Sequence, residues 1–264
     1  MPYLQLDDTV LHYREHGTGP LALFVHGYPL DSTLWLDQLH ALSDARRCVA
    51  VDLRGFGCSE PTRLEVLTME RHADDLAAAV RALGVGAADV VALSMGGYVA
   101  LALLERHPTS VRSLALVDTR SEADSEAARK GRDTAAAKLL AQGRSALAGD
   151  QLAALLAPSA SNLARARLRS MIEGTRYETL IAALEGMKRR ADRTDVLARA
   201  HIPVAVVVGE RDTLTPPAEA QAMANRIAGA RFTVVPGAGH LTPIEAPEAL
   251  ESALRGLWGV AGPG

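Results

Sequence analysis

One stretch of this chain, "VVALSMGGYVALALLERHP" (90–108), carries a lone hydroxyl where an apolar run meets a helical pattern. A serine hydroxyl is a poor nucleophile until a base takes its proton. On a sharp strand-to-helix turn, Ser94 would be forced outward at the carboxyl edge of a sheet. Such a turn needs small neighbours, because the helix passes close to the strand. Ala92, Gly96 and Gly97 meet that need, and Ala92 adds one methyl group where the G-x-S-x-G pattern has its first glycine. The same turn puts the amide of Met95 at a helix N-terminus, which favours a nearby anion. By itself "SMGG" could equally pack a helix against a strand.

Other segments supply the partners that a serine needs. "FVHGYP" ends a strand, and the backbone N–H of Tyr28 is a candidate second donor to an oxyanion. "VVVGERD" ends a strand with Asp212 beyond it, and "VVPGAGH" ends another with His240. Ser, Asp, His, each just past a strand, is the chain order of a nucleophile-elbow site. Asp118 is the rival acid, since it also ends a strand; Asp212 is favoured by "GERD" and its lead over His240. Of the eight histidines, His107 closes a helix before Pro108 and His201 precedes its strand, at the wrong edge. His12, His16, His40 and His72 fall on a hairpin or on helix faces without a motif.

The elements that must hold these groups alternate in type. "YLQL" and "VLHYRE" around Asp7-Asp8 read as a hairpin. Strands are expected over 21–26, 46–52, 88–93 and 111–118, with helices over 34–42, 69–83 and from Ser94 to His107. From about 120 to 195 there is no strand signal, only helical stretches such as "AARKGRDTAAAKLLA" and "DQLAALLA". Alternation resumes with "IPVAVVVGERD", a helix from a Thr215 N-cap followed by Pro216, "RFTVVPGAGH", and "PEALESALRGLW". The pattern predicts a parallel sheet covered on both faces, with an all-helical cap (120–195) between two parts of the core (1–119 and 196–264).

Composition excludes several classes. The chain has 264 residues, 48% of them hydrophobic, and a formal net charge of −3. That suits one large domain and not a nucleic-acid surface, which needs a concentrated basic face. Cys48 and Cys58 are too few for a disulfide framework. No apolar run is long enough to span a membrane, and "MPYLQLDDTVLHYREHG" has no basic region followed by an apolar one. A cytoplasmic protein without membrane or nucleic-acid partners is expected. No HExxH or Cys pair marks a metal site, "HADD" (72–75) sits on a polar helix start, and no GxGxxG opens a helix, so no metal and no cofactor are expected. The basic stretches "RARLRS" (165–170) and "KRRADR" (188–193) read as solvated helix faces that could also greet an anionic substrate.

Taken together, "FVHGYP", "DLRGFGCS", "ALSMGG", "GERD" and "PGAGH" resemble the α/β-hydrolase family over nearly the whole chain. The resemblance implies a mostly parallel eight-stranded sheet with helices on both faces and an inserted helical cap. It assigns Ser94, Asp212 and His240 to a catalytic triad and the amides of Tyr28 and Met95 to an oxyanion hole. It also makes His26 a brace for the oxyanion loop, and it keeps Asp118 in play, since some relatives place the acid there. Dehalogenating and epoxide-opening relatives use Asp at the elbow, so serine points to ester hydrolysis through an acyl-enzyme. The chain looks like small bacterial carboxylesterases, enol-lactone hydrolases and cofactor-free haloperoxidases alike. A small-molecule receptor on the same fold is the alternative of another class. The expected partner is a small ester of short or medium acyl chain, acted on by a monomer or homodimer. Its contacts are expected at Met171 and Met187, with Ile172 and Leu180, in the cap, and at Leu214 and Leu241 in the core; flexible methionines suit a permissive pocket.

Overall fold

In a computed structural model describing residues 2–261, the eight strands form one sheet. They are β1 (Tyr3–Gln5), β2 (Val10–His16), β3 (Leu21–Val25), β4 (Arg47–Val51), β5 (Ala88–Leu93), β6 (Val111–Val117), β7 (Val204–Gly209) and β8 (Arg231–Val235), in the spatial order β1-β2-β4-β3-β5-β6-β7-β8. The hairpin β1–β2 and the β2–β4 pair are antiparallel, and every later pair is parallel. Strands β3, β5 and β7 are buried at every position. That explains their unbroken apolar runs, since a central parallel strand has no solvent face.

Among the described residues there are ten α-helices: α1 (Leu36–Ala41), α2 (Met69–Ala82), α3 (Met95–Arg106), α4 (Glu126–Leu155), α5 (Asn162–Gly174), α6 (Tyr177–Lys188), α7 (Thr194–Ala198), α8 (Pro217–Ala224), α9 (Thr242–Glu245) and α10 (Pro247–Trp258). Helices α4 to α7 lie between β6 and β7 in the chain, in the stretch where no strand pattern is legible. Helix α4 breaks at Gly143 (φ 81°), between the two helical stretches that the sequence suggests. Helix α8 starts one residue later than expected, because Pro216 rather than Thr215 occupies its N-cap.

Register fixes where the chemistry sits. Val25 pairs with Ala92, Leu93 with Val117, and Val117 with Val207. The carboxyl ends of the central strands therefore lie level, and the segments after them meet on one edge. Ligands of open α/β sheets bind at that edge. The helical block is fastened there to loop backbone: Leu67 N donates to Ala182 O at 3.0 Å, and the Thr179 hydroxyl donates to Gly55 O at 2.9 Å. Gly186 lies so close that an added Cβ would stand 1.7 Å from Leu67 O. Backbone cannot yield as a side chain does, so Gly186→Ala should cost about 1–3 kcal/mol. Thermal unfolding should then show Tm lower by about 2–12 °C; an unchanged Tm would contradict this tight docking of α6.

Candidate active site

Ser94 has φ 54° and ψ −117°, in a region that side-chain-bearing residues rarely adopt. The conformation lifts its side chain off the end of β5 while α3 begins at once with Met95. Close approach makes it possible. A Cβ on Gly96 would stand 2.5 Å from Val25 O, and one on Gly97 would stand 2.4 Å from Thr119 Oγ1. Ala92, by contrast, is an ordinary buried strand residue between β3 and β6, where its methyl group fits.

His240 Nε2 lies 2.9 Å from Ser94 Oγ, and His240 Nδ1 lies 2.7 Å from Asp212 Oδ2. With an acid on Nδ1, that nitrogen carries the proton and Nε2 presents its lone pair to the serine. Asp212 is anchored by the amides of Leu214 and Thr215 and by the Thr215 hydroxyl at 2.5 Å. Thr215, expected as a helix cap, instead belongs to this network. Burial works against the charged forms of both partners. The hydrogen bond and charge of the pair prevail, so Asp212 is held below the usual carboxylate range and His240 above the usual imidazole range.

Asp118 is fully buried and takes a different place. Its Oδ1 accepts from Gly209 N at 2.8 Å, and its Oδ2 accepts from Thr242 N and Thr242 Oγ1 at 3.2 and 2.8 Å. It ties β6 to the start of β7's loop and to α9, without a hydrogen bond to His240. Burial pushes its pKa up to about 7, opposed by the charge of His240 and reinforced by that of Asp212.

The loop after β3 packs on the elbow: a Cβ on Gly27 would be 3.0 Å from Ser94 Cβ. His26 Nδ1 donates to Gly27 O at 2.9 Å while its Nε2 accepts from Leu53 N at 3.0 Å, so this histidine braces the loop. Among the described residues, the amides of Tyr28 and Met95 donate to no protein group. Met95 follows Ser94 directly, and Tyr28 follows the Gly27 that packs on it.

A cavity of about 330 Å³ opens over Ser94 and His240. Met187 and Leu214 line it, with Tyr28, Tyr98, Leu147, Leu155 and Leu184. Met171 and Leu241 do not, and neither do Ile172 and Leu180. Met171 is buried inside the helical block, and Leu241, fully buried, turns into the core at the start of α9. Periodicity gave no means to tell a helix's cavity side from its packed side.

Glu245 is a further residue that no motif marks. Its carboxylate accepts from the amides of Gly239, Leu241 and Ala157, while His240 N donates to Leu155 O at 2.9 Å. The end of α4 is thereby bolted to the histidine loop.

Residues 20–247 match the profile of the α/β hydrolase fold. The chain belongs to that family. It is 37% identical to a thermophilic esterase of Thermogutta terrifontis, solved with malate bound (TM-score 0.92; 97% of this chain and 96% of that one). The enol-lactonase of Burkholderia xenovorans is 27% identical (TM-score 0.89; 98% and 100%). A pimeloyl-[acyl-carrier protein] methyl ester esterase of Neisseria meningitidis is 30% identical over 88% of this chain and 90% of its own. Epoxide hydrolase 1 of Caenorhabditis elegans is 36% identical over 115 residues, 42% of this chain, and the chain spans only 28% of its length. No described helix is long and apolar enough to cross a membrane.

The electrostatics predict a measurable titration. NMR of His240 should give a pKa above the ordinary 6.5. In Asp212→Asn the hydrogen bond and charge of Asp212 are gone, and burial is opposed only by the charge of Asp118, so the value should fall. A His240 pKa indifferent to that substitution would contradict the pairing.

Proposed function

We propose that the protein is a serine hydrolase of carboxylic esters acting through an acyl-enzyme. The observation that carries the reading is the unbroken hydrogen-bond chain Ser94–His240–Asp212 at a cavity floor. In this mechanism Ser94 Oγ attacks the ester carbonyl as His240 Nε2 takes its proton, and Asp212 steadies the imidazolium. The amides of Tyr28 and Met95 receive the oxyanion. Collapse breaks the bond to the alcohol, which leaves with the proton from His240. Water, deprotonated by His240 in turn, attacks the acyl carbonyl and releases the acid and the free serine. None of these steps calls for a cofactor. A lactone is an ester whose alcohol stays tethered, so the likeness to an enol-lactonase makes lactone opening the second reading for the same groups.

Ser94→Ala should lose on the order of 10⁶ in kcat on p-nitrophenyl esters while Tm is preserved. A residual rate within about tenfold of wild type would exclude Ser94 as nucleophile. Asp212→Asn should lose roughly 10⁴ in kcat. Asp118→Asn turns an acceptor into a donor facing Thr242 or Gly209, so its cost should appear as about 1–3 kcal/mol of stability with a far smaller kcat effect. Reversed kcat losses would make Asp118 the catalytic acid.

The cavity bounds the acyl group. Each methylene buried contributes up to about 0.8 kcal/mol, so kcat/KM should rise over short acyl chains and fall once the wall is reached. Met187→Ala should move that optimum toward longer chains. A flat profile unmoved by this change would show that the helical block does not bound the acyl site.

A further inference from the structure

The cavity is lined by charge as well as by leucines. Arg120, Arg132 and Arg190 line it, against the single carboxylate of Asp124. Arg190, from the basic run 188–193, is buried and occupied: it donates to Glu122 O at 3.0 Å and to Asp124 Oδ1, and it lies 4.0 Å over the Tyr98 ring. Arg120 sits at the rim, paired with Glu219 at 3.1 Å and bonded to Leu214 O. Arg132 differs. It gives only its Nε to Asp124 Oδ2, at 3.1 Å, and among the described residues its terminal nitrogens meet no acceptor. Asp124 is thus shared by two guanidiniums, and one positive charge in the cavity stays without a full counter-charge.

A second, independent group points to the same ligand. Tyr28 is 8% exposed, its hydroxyl is buried, and no protein atom partners that hydroxyl. A buried donor left unpaired costs stability unless something fills the place. The charge of Arg132 is felt at this phenol, against the burial that pushes its pKa up. The orphan hydroxyl and the half-paired guanidinium both belong to residues that line the cavity over Ser94.

We propose that the Arg132 guanidinium and the Tyr28 hydroxyl bind a carboxylate carried by the substrate, making the preferred substrates esters with a second, anionic end. A guanidinium fork matches the geometry of a carboxylate, and charge-assisted hydrogen bonds are the strong ones. The leucine and methionine wall packs the few carbon atoms that separate carboxylate from scissile ester. Arg190 neutralises Asp124, which would otherwise repel such a substrate. The chemistry at Ser94 is unchanged; only the choice of ester is set. The class of reaction feeding such a site is one that produces half-esters or acylated hydroxy acids.

The inference rests on the ester-hydrolase reading for its kinetic arm, so a binding arm stands beside it. Substrates are monomethyl succinate, glutarate and adipate, with the carboxylate on the acyl side, and O-acetylglycolate and O-acetyl-β-hydroxypropanoate, with it on the alcohol side. Each is compared with a neutral analogue in which an isopropyl group replaces the carboxylate. At least one anionic ester should exceed its analogue by about tenfold or more in kcat/KM, as a charge-assisted pair allows. That ratio should collapse toward one in Arg132→Gln, recover in part in Arg132→Lys, and fall several-fold in Tyr28→Phe, which keeps the Tyr28 backbone amide. In the binding arm, calorimetry on Ser94→Ala should detect the favoured anionic ester, and adding Arg132→Gln should abolish the signal. Arg132-dependent binding without turnover of any ester would sustain the carboxylate site and overturn the hydrolase reading. Neutral esters turned over as well as anionic ones, or a preference that Arg132→Gln leaves unmoved, would overturn the carboxylate site and leave the hydrolase reading intact.

Discussion

The backbone of Ser94, at φ 54°, holds a conformation that costs free energy and persists only because its surroundings leave no alternative. Its N–H donates to Val117 O at 3.0 Å, and its carbonyl accepts from the Thr119 hydroxyl at 2.7 Å and from Gly97 N at 2.9 Å. Gly96 and Gly97 let α3 close on β3 and on Thr119 at distances that a methyl group would forbid. From that one turn follow the outward hydroxyl, the free amide of Met95 at the head of α3, and the contact with the Gly27 loop that brings in Tyr28. A relaxed turn would return the hydroxyl to the helix and separate it from His240.

The histidine is held from the other side of the cavity. Its loop is short and sits between β8 and α9, with Glu245 gathering three amides onto one carboxylate, and one of those amides, Ala157 N, comes from the segment after α4. Because His240 N also bonds Leu155 O, movement of the helical block would act on the histidine as well as on the cavity wall. The two ends of the block are fastened differently: α6 through backbone against residues 55–67, and the end of α4 through Glu245. Positioning of His240 and shaping of the pocket thus share the same contacts.

Much of this was legible in the sequence because it is written in local pattern. Apolar runs mark the buried strands, Ser94 and Asp212 follow two of these, β5 and β7, His240 follows the largely uncovered β8, and the stretch without strands between Asp118 and Val204 is helical. What depended on side-chain direction was not legible. Met171 and Leu241 share composition and spacing with Met187 and Leu214, yet face the packed interior. Thr215 read as a helix cap because Thr before Pro usually is one, but the buried carboxylate of Asp212 offered its hydroxyl a stronger bond. Arg190 sat in a charge run that looked solvated, and only the fold turns it inward against Asp124 and Tyr98. Glu245 had no signal, since its three partners come from two segments that are far apart in the chain.

The nucleophilic role proposed for Ser94 can be read directly. A p-nitrophenyl dialkyl phosphate traps a serine that a neighbouring histidine activates, because the phosphoryl adduct does not turn over as an acyl group does. After stoichiometric inhibition, digestion and mass spectrometry should locate one phosphoryl group per chain on the peptide carrying Ser94, with no adduct on the Ser94→Ala protein. An adduct on another residue, or full ester hydrolysis by a protein whose Ser94 stays unmodified, would contradict a serine activated by His240 and Asp212.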